Sequence, residues 1–296
     1  MITRRGFAKA AAASVLGYGL GGTRARAAPG FAPGLAAELS RIEAESGGRL
    51  GVAVLDALTG MGAGHRTDER FPMCSTFKPL AAAAVLKRVD AGDERLDRRI
   101  AFEVGDIVVN SPITKERVGG AGMSLAELCE AAMTVSDNTA GNLMLVSLGG
   151  PQGLTAYARS LGDTVTRLDR IEPDLNEAVP GDPRDTTTPA AMLSNLRALA
   201  LGSALSPKSR DQLIAWLNGN KTGDTRLRAN LPNGWRVGDK TGSGERGTTN
   251  DVGLVWPPQR APIIVAIYLT ETAATGERRN ATLAAVGRSV AAALSP

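Results

Sequence analysis

Ser75 and Lys78 belong to a Ser-Thr-Phe-Lys segment in which a hydroxyl and an amine are spaced to work together. Pro79 follows the segment, and proline is tolerated in the first turn of a helix, so this region is predicted to start a helix. Residues three apart share one helix face, which lets the Lys78 amine reach the Ser75 hydroxyl. Serine needs such a base to attack a carbonyl carbon at neutral pH. An isolated pair of this kind would more commonly be a capping serine and a surface lysine.

A second polar segment, Ser136-Asp137-Asn138, lies between a helical pattern that ends near Met133 and another that begins near Leu143. On such a connection, Ser136 can pass a proton to a leaving amine. Asn138 can hydrogen-bond a substrate amide. An N-cap for the following helix is an equally good interpretation of the tripeptide taken alone.

A third segment, Lys240-Thr241-Gly242-Ser243, ends a β-rich pattern. Alternation along a strand places Lys240 and Gly242 on one face, and Thr241 and Ser243 on the other. Glycine lets a substrate approach the backbone, and an extended acylamino substrate can pair with such an edge. The ammonium and the hydroxyls can then hold a substrate carboxylate. The alternative is a β-turn with a surface lysine.

These three segments, in this order, are typical of class A β-lactamases and penicillin-binding proteins. A fourth segment, Arg170-Ile171-Glu172-Pro173-Asp174-Leu175-Asn176, extends the similarity, and the sequence resembles the class A serine β-lactamases over nearly the whole chain. The resemblance implies that Glu172 activates a deacylating water and that Asn176 orients it. Both would lie on an Ω-shaped loop tied at its base by Arg170 and Asp185.

The resemblance also implies a reaction, in which Ser75 opens the β-lactam ring of penicillins to give an acyl-enzyme that is then hydrolysed. We expect cephalosporins to react in the same way. This hydrolysis would give antibiotic resistance. Backbone N–H groups of Ser75 and Ser243 would form the oxyanion hole. Either Lys78, or Glu172 through a water, would be the acylation base. Arg226 matches an arginine with which some members hold the substrate carboxylate, together with Lys240, Thr241 and Ser243. No cofactor is implied.

The sequence departs from the family at the rim of the cleft. Where members usually carry an aromatic residue just before Ser-Pro, this chain has Asn110 before Ser111-Pro112. The rim therefore lacks a ring for stacking on bulky substrates, while the acylating residues are complete.

Two other functions would use the same three motifs. A D,D-peptidase or penicillin-binding protein would act on peptidoglycan stem peptides and needs no deacylating glutamate. A β-lactam-binding sensor domain would acylate and stay acylated, and would normally be joined to a membrane segment. Glu172 and Asn176 favour the β-lactamase over both.

The first 27 residues are predicted to be a twin-arginine export signal, because Arg4-Arg5 precedes an Ala- and Gly-rich stretch that ends in Ala25-Arg26-Ala27. Five of the basic residues lie there with no acidic residue, so the formal charge of +4 falls close to neutral without them. This balance argues against nucleic-acid binding. We expect a periplasmic or secreted monomer that is not inserted in the membrane.

Cys74 and Cys129 are expected to be free, mostly buried thiols, although two cysteines could pair in an oxidising compartment. Cys74 lies beside Ser75, but the only histidine of the chain, His65, offers no dedicated Cys-His pair to activate it. His65 is predicted on a surface turn within a Gly-rich stretch. A single histidine also argues against a zinc site, so we expect no metal.

The elements that position these residues form two units in the sequence. Residues 28–65 and 216–296 carry a helix, a strand, three further β-rich runs and a closing helix, which predicts one helix-and-sheet domain. Residues 66–215 are rich in Ala and Leu at helical spacing and are predicted to be an inserted all-α domain. The fold class is therefore α/β plus all-α, a two-domain serine β-lactamase-like fold. Its sheet is expected to be mainly antiparallel, with five strands flanked by helices.

Overall fold

A computed structural model describes Phe31 and residues 34–294, so the predicted export signal lies outside the described residues. Eight α-helices occur in this part of the chain. They are α1 Leu35–Ser46, α2 Lys78–Ala91, α3 Leu125–Thr134, α4 Asn138–Ser147, α5 Pro151–Ser160, α6 Pro189–Ala200, α7 Pro207–Asn218 and α8 Gly276–Leu294. None of these helices is both long enough and apolar enough to cross a bilayer.

The strands of the described residues fall into one large sheet and two short pairs. They are β1 Arg49–Asp56, β2 Gly62–His65, β3 Phe71–Pro72, β4 Arg99–Ile100, β5 Met123–Ser124, β6 Thr186–Thr187, β7 Arg236–Ser243, β8 Thr249–Trp256 and β9 Ile263–Thr270. The large sheet has the order β2-β1-β9-β8-β7, and every neighbouring pair is antiparallel. The prediction of a five-stranded antiparallel sheet with helices is confirmed.

The sheet joins the two ends of the chain, because β1 pairs along its whole length with β9. β9 is buried on both faces, and its side chains alternate between two hydrophobic cores. Ile263, Val265, Ile267 and Leu269 face the core formed with α1 and α8. Ile264, Ala266 and Tyr268 face the core shared with the inner helices. A strand covered on both faces reads as a continuous apolar run, which is why its bounds were visible in the sequence.

The middle segment, 66–215, is mostly helical, as expected, but also contains the short antiparallel pairs β3–β6 and β4–β5. Strands of two residues leave no periodicity to detect, so the prediction of a purely helical segment was wrong at these places. In addition, α6 packs against β1 and β9 of the large sheet. The domain boundaries at 65/66 and 215/216 stay a prediction.

His65 ends the edge strand β2 and does not lie on the surface turn that the Gly-rich stretch predicted. Its Nε2 is 2.9 Å from Glu43 Oε2, and its Nδ1 is 3.2 Å from Ser40 Oγ, both on α1. The glycines serve close packing here, since a Cβ on Gly64 would lie 2.5 Å from the carbonyl oxygen of Val52 on β1.

Candidate active site

Ser75 lies in a single 3-10 turn, Cys74–Phe77, which leads directly into α2. The Ser75 Oγ is 3.0 Å from Lys78 Nζ and 3.1 Å from Glu172 Oε1, so two basic groups contact one hydroxyl. Both Lys78 and Glu172 are almost fully buried, and their charged groups are 3.1 Å apart. Burial lowers the pKa of the Lys78 ammonium, although the neighbouring Glu172 carboxylate opposes this. A lysine with a lowered pKa is a better proton acceptor near neutral pH.

The second motif lies across Lys78 from Ser75. Lys78 Nζ donates to Asn138 Oδ1 at 2.8 Å, to the Ser136 carbonyl at 3.0 Å and to Ser136 Oγ at 3.3 Å. Ser136 adopts a left-handed backbone conformation with φ of 60°. Such a conformation is unfavourable for a residue with a side chain, and it commonly occurs at functional positions.

Asp137 fixes the position of the segment between α3 and α4 that carries Ser136. Its carboxylate is buried and accepts hydrogen bonds from the backbone N–H groups of Ile113, Thr114 and Ala140 at 2.9 Å each. The bond from Ala140 is an N-cap of α4. The N-cap interpretation therefore holds for Asp137, while Ser136 and Asn138 contact Lys78. The roles of Ser136 and Asn138 toward a substrate stay a prediction.

The third motif lies on β7, the last strand in the order of the large sheet. Lys240 Nζ donates to Ser136 Oγ at 2.9 Å and to its neighbouring carbonyl, that of Thr241, at 2.8 Å. Burial lowers the pKa of the Lys240 ammonium well below its usual range, and repulsion from Lys78 lowers it further. Ser136 Oγ thus contacts the ammonium groups of two lysines, an arrangement through which a proton can pass.

The edge of β7 leaves backbone groups available. The Gly244 N–H donates to the Thr248 carbonyl, so Gly244 and Thr248 form a hydrogen-bonded pair. Hydrogen-bonded and non-hydrogen-bonded residue pairs alternate along two antiparallel strands. Ser243, which lies opposite Thr249, therefore points its N–H away from β8 and toward the open edge. Ser75 is the second residue of the 3-10 turn, and the first N–H groups of a helical turn have no acceptor within the turn.

Arg226 supports this edge from behind. Its guanidinium donates to the carbonyl oxygens of Gly242 and Asn250 at 2.8 Å each, and to Ser243 Oγ at 2.7 Å. Its Nε donates to Asn280 at 3.0 Å. The predicted carboxylate-binding arginine is therefore next to the Ser243 hydroxyl and adds positive charge to that end of the cleft.

Glu172 lies just before the 3-10 turn Asp174–Asn176, and Asn176, the last residue of this turn, donates from Nδ2 to Glu172 Oε2 at 2.5 Å. The base of the loop is closed as predicted, since Arg170 Nε donates to Asp185 Oδ2 at 2.6 Å. The sequence analysis missed Asn142 on α4. Its side chain accepts from the Glu172 N–H and donates to the Glu172 carbonyl, both at 2.9 Å. An asparagine within a helical pattern gives no signal of such a long-range contact.

These residues surround one cleft of about 650 Å³, whose lining includes Ser75, Ser136, Asn138, Asn176, Thr241 and Ser243. Asn110 lies exposed at its rim, also with a left-handed backbone, and carries no ring. The arrangement has a serine nucleophile, neighbouring bases and a cationic end. It can carry out acyl transfer on a substrate that bears both an amide and a carboxylate.

Cys74, beside the serine, is not part of this chemistry. Cys74 and Cys129 are free and fully buried. Burial raises the pKa of the Cys74 thiol, and the Glu172 carboxylate raises it further. The thiolate, which is the reactive form, is therefore disfavoured. Within residues 34–294, no three His, Cys, Asp or Glu side chains are grouped to hold a metal ion.

Comparison with known proteins shows the family of this chain. The profile of the β-lactamase enzyme family matches residues 34–294. β-Lactamase CTX-M-8 of Citrobacter amalonaticus is 50% identical over 253 residues, which cover 86% of this chain and 87% of that protein. β-Lactamase AST-1 of Nocardia asteroides is 52% identical over 255 residues, covering 86% and 82%.

Solved structures show the same similarity. An ancestral class A β-lactamase (GNCA) is 64% identical with a TM-score of 0.86, covering 88% of this chain and 99% of that one. The putative class A β-lactamase PenP from Rhodopseudomonas palustris is 61% identical, with the same TM-score and coverage. Fold and cleft together define a hydrolase of the class A type. The chain belongs to the β-lactamase enzyme family.

Proposed function

We propose that this protein hydrolyses penicillins and cephalosporins through an acyl-enzyme on Ser75. The observation that carries the proposal is the contact of one serine hydroxyl with both Lys78 and Glu172. In the acylation step Ser75 Oγ bonds to the lactam carbonyl carbon while its proton passes to Lys78, or to Glu172 through a water. The N–H groups of Ser75 and Ser243 stabilise the oxyanion.

Ring opening needs a proton on the departing nitrogen. Ser136 supplies it and is resupplied from Lys78 or Lys240, since the Nζ atoms of these lysines lie 3.3 Å and 2.9 Å from Ser136 Oγ. Lys240, Thr241, Ser243 and Arg226 hold the substrate carboxylate, and Asn138 bonds the acylamino group. Gly242 has no part in this assignment. A Cβ on Gly242 would lie 2.8 Å from the carbonyl oxygen of Met73, so the glycine lets β7 pack closely against the segment before Ser75, where the sequence had suggested room for the substrate.

Deacylation is the role proposed for Glu172. A carboxylate beside Ser75, oriented by Asn176, can take a proton from water so that hydroxide adds to the acyl carbon. The bond from the acyl carbon to Ser75 Oγ then breaks, and the proton held by Glu172 returns to Ser75 Oγ. A peptidase needs no such glutamate, and a sensor would lack an effective deacylating water. The glutamate therefore favours hydrolysis over a stable covalent complex.

Mass spectrometry with benzylpenicillin tests the proposal on the wild type, on Glu172→Ala and on the control Glu177→Ala. Glu177 lies on the same loop, with an exposed side chain that contacts Arg170. We expect wild type and Glu177→Ala to return to the free mass, and Glu172→Ala to accumulate an adduct on Ser75. A wild type that stays acylated would indicate a peptidase or a sensor, and a wild type that is never labelled would refute acylation altogether.

We further propose export through the twin-arginine route to the periplasm or the medium, and a monomeric state. The motif Arg4-Arg5 and the cleavage pattern Ala25-Arg26-Ala27 support the route. Replacing Arg4-Arg5 by two lysines is expected to keep the full-length precursor in the cytoplasm, as judged by fractionation. Export that is unchanged by this replacement would contradict the route.

A further inference from the structure

Thr241, on the floor of the cleft, contacts a second threonine that lies outside the sequence motifs. The Oγ1 atoms of Thr241 and Thr222 are 2.5 Å apart, and Thr222 Oγ1 is 2.8 Å from Asn220 Oδ1. Thr222 and Thr241 both line the cleft, whereas Asn220 is buried. A chain of three polar side chains therefore leads from the cleft into the protein.

The amide of Asn220 has a defined orientation at the inner end of this chain. Its Nδ2 donates at 2.8 Å to Asp239 Oδ1, an oxygen that also accepts from Arg228. Its Oδ1 accepts from the backbone N–H of Thr222 at 3.0 Å. A backbone N–H only donates, and a carboxylate beside a guanidinium only accepts. The amide oxygen must therefore face Thr222.

The orientation of Asn220 decides where the two hydroxyl protons lie. Asn220 Oδ1 only accepts, so in the free protein Thr222 O–H donates to it and Thr241 O–H donates to Thr222. In this state Thr241 presents lone pairs to the cleft. A carboxylate requires a donor instead, so binding turns the Thr241 O–H toward the carboxylate and the Thr222 O–H toward Thr241 Oγ1.

The rearrangement leaves no buried group unpaired. Asn220 Oδ1 keeps the hydrogen bond from the Thr222 N–H when the hydroxyl turns away. Only two O–H bonds rotate, and no proton changes its oxygen. The cost of switching is therefore small, since the large penalty in such networks comes from leaving a polar atom without any partner.

We propose that Thr222, anchored by Asn220, is a positioning residue that orients and polarises the Thr241 hydroxyl toward the carboxylate of the β-lactam. This inference rests on the proposed function, because it assumes that Thr241 binds the substrate carboxylate. Without the Thr222 hydroxyl, Thr241 can still donate, but its oxygen has no donor to hold it in place. The effect should therefore depend on the carboxylate of the substrate.

The test compares kcat/KM for benzylpenicillin and for its methyl ester, which lacks the carboxylate charge, in the whole protein and its variants. Thr222→Val removes the hydroxyl at nearly constant volume, and Thr222→Ala provides a second truncation should the valine fail to fold. We expect about a fivefold to tenfold lower kcat/KM for the acid, mainly through KM, and less than about a twofold change for the ester. Thr222→Ser should restore the wild-type ratio of acid to ester.

The outcomes separate the two proposals. If wild type does not turn over benzylpenicillin, the proposed function fails and this inference with it. If wild type turns over the acid but the folded truncations leave the acid-to-ester ratio unchanged, or raise it, only the role of Thr222 is refuted. Equal losses for acid and ester would show a general distortion of the cleft and would also refute it.

Discussion

The side chain of Asn142 binds the backbone N–H and the backbone carbonyl of Glu172, with two hydrogen bonds of 2.9 Å. One side chain on α4 thus sets the position of the peptide unit whose carboxylate contacts Ser75. The loop that carries Glu172 is also tied at its base, between Arg170 and Asp185, and at Asn176, whose carbonyl accepts from the Glu245 N–H at 2.9 Å. The contact with Asn142 therefore links the loop to the helix that begins with Asn138.

Replacing Asn142 is expected to impair deacylation and stability together. Asn142→Ala leaves the N–H and C=O of Glu172 without these partners, which should cost about 2 kcal/mol in the free energy of unfolding. The carboxylate also loses its fixed position, so the acyl-enzyme should accumulate. Urea unfolding and a burst experiment with a chromogenic cephalosporin measure the two effects.

Val146→Ala is the control for Asn142→Ala, since Val146 lies one turn further along α4 with an exposed side chain. Val146→Ala should change neither the free energy of unfolding nor the rate of deacylation. A variant Asn142→Ala with normal deacylation would show that the loop is positioned without this residue.

The alkaline limit of activity should depend on Lys240. Burial and repulsion from Lys78 lower the pKa of its ammonium well below the usual 10.5, so the positive charge is lost at a lower pH than for an exposed lysine. The deprotonated amine attracts a carboxylate less than the ammonium does. KM for benzylpenicillin should therefore begin to rise with pH well below pH 10.5, the usual pKa of a lysine. Lys240→Arg keeps its charge, because arginine is not deprotonated in proteins.

The pH profile of KM distinguishes Lys240 from Lys78, whose pKa is also lowered by burial. In Lys240→Arg, the alkaline rise in KM should move to higher pH, while changes in kcat that come from Lys78 remain. An unchanged profile of KM in this variant would mean that Lys240 does not set the limit.

Acid stability should depend on Glu43, which joins α1 to β1 and β2. Burial acts to raise the pKa of the Glu43 carboxyl, but hydrogen bonds from Arg66, the Leu50 N–H and His65 lower it to about 2 from 4.5. The folded carboxyl therefore binds its proton less tightly than the unfolded one. The stabilisation is complete above pH 4.5 and is lost as the pH falls toward 2.

Glu43→Gln should lower the free energy of unfolding by about 2 kcal/mol at pH 7, and the difference from wild type should shrink below pH 4.5. Glu69→Gln is the matched control, because Glu69 also contacts Arg66 but is half-exposed. Urea unfolding between pH 2.5 and pH 7 measures both. A constant difference across this range would contradict the role of Glu43.

The sequence was sufficient for the large elements and for the motif residues. Ile263–Thr270 is an apolar run buried on both faces, and its bounds were predicted without error because a covered strand needs apolar side chains at every position. Ser75 and Lys78 are three residues apart on a helical path, so their contact is local and follows from spacing.

Other features depended on contacts between distant segments. His65 was misplaced because glycines suggest turns, whereas here they let β2 pack closely on β1. β3 and β6 are paired across more than a hundred residues and have only two residues each, too few for any pattern. Asn142 and Thr222 gave no signal, since an isolated polar residue does not reveal its partner.

What the sequence determined by itself is the set of reactive groups and the helices and strands that carry them, because composition and periodicity are local properties. Only the tertiary structure decided how these groups meet. Ser75, Glu172 and Lys240 are far apart in the chain, and packing of α2, the loop of Glu172 and β7 brings them to one cleft. The same packing buries Lys78 and Lys240 and lowers their pKa values, because desolvation depends on what surrounds an amine and not on its neighbours in sequence.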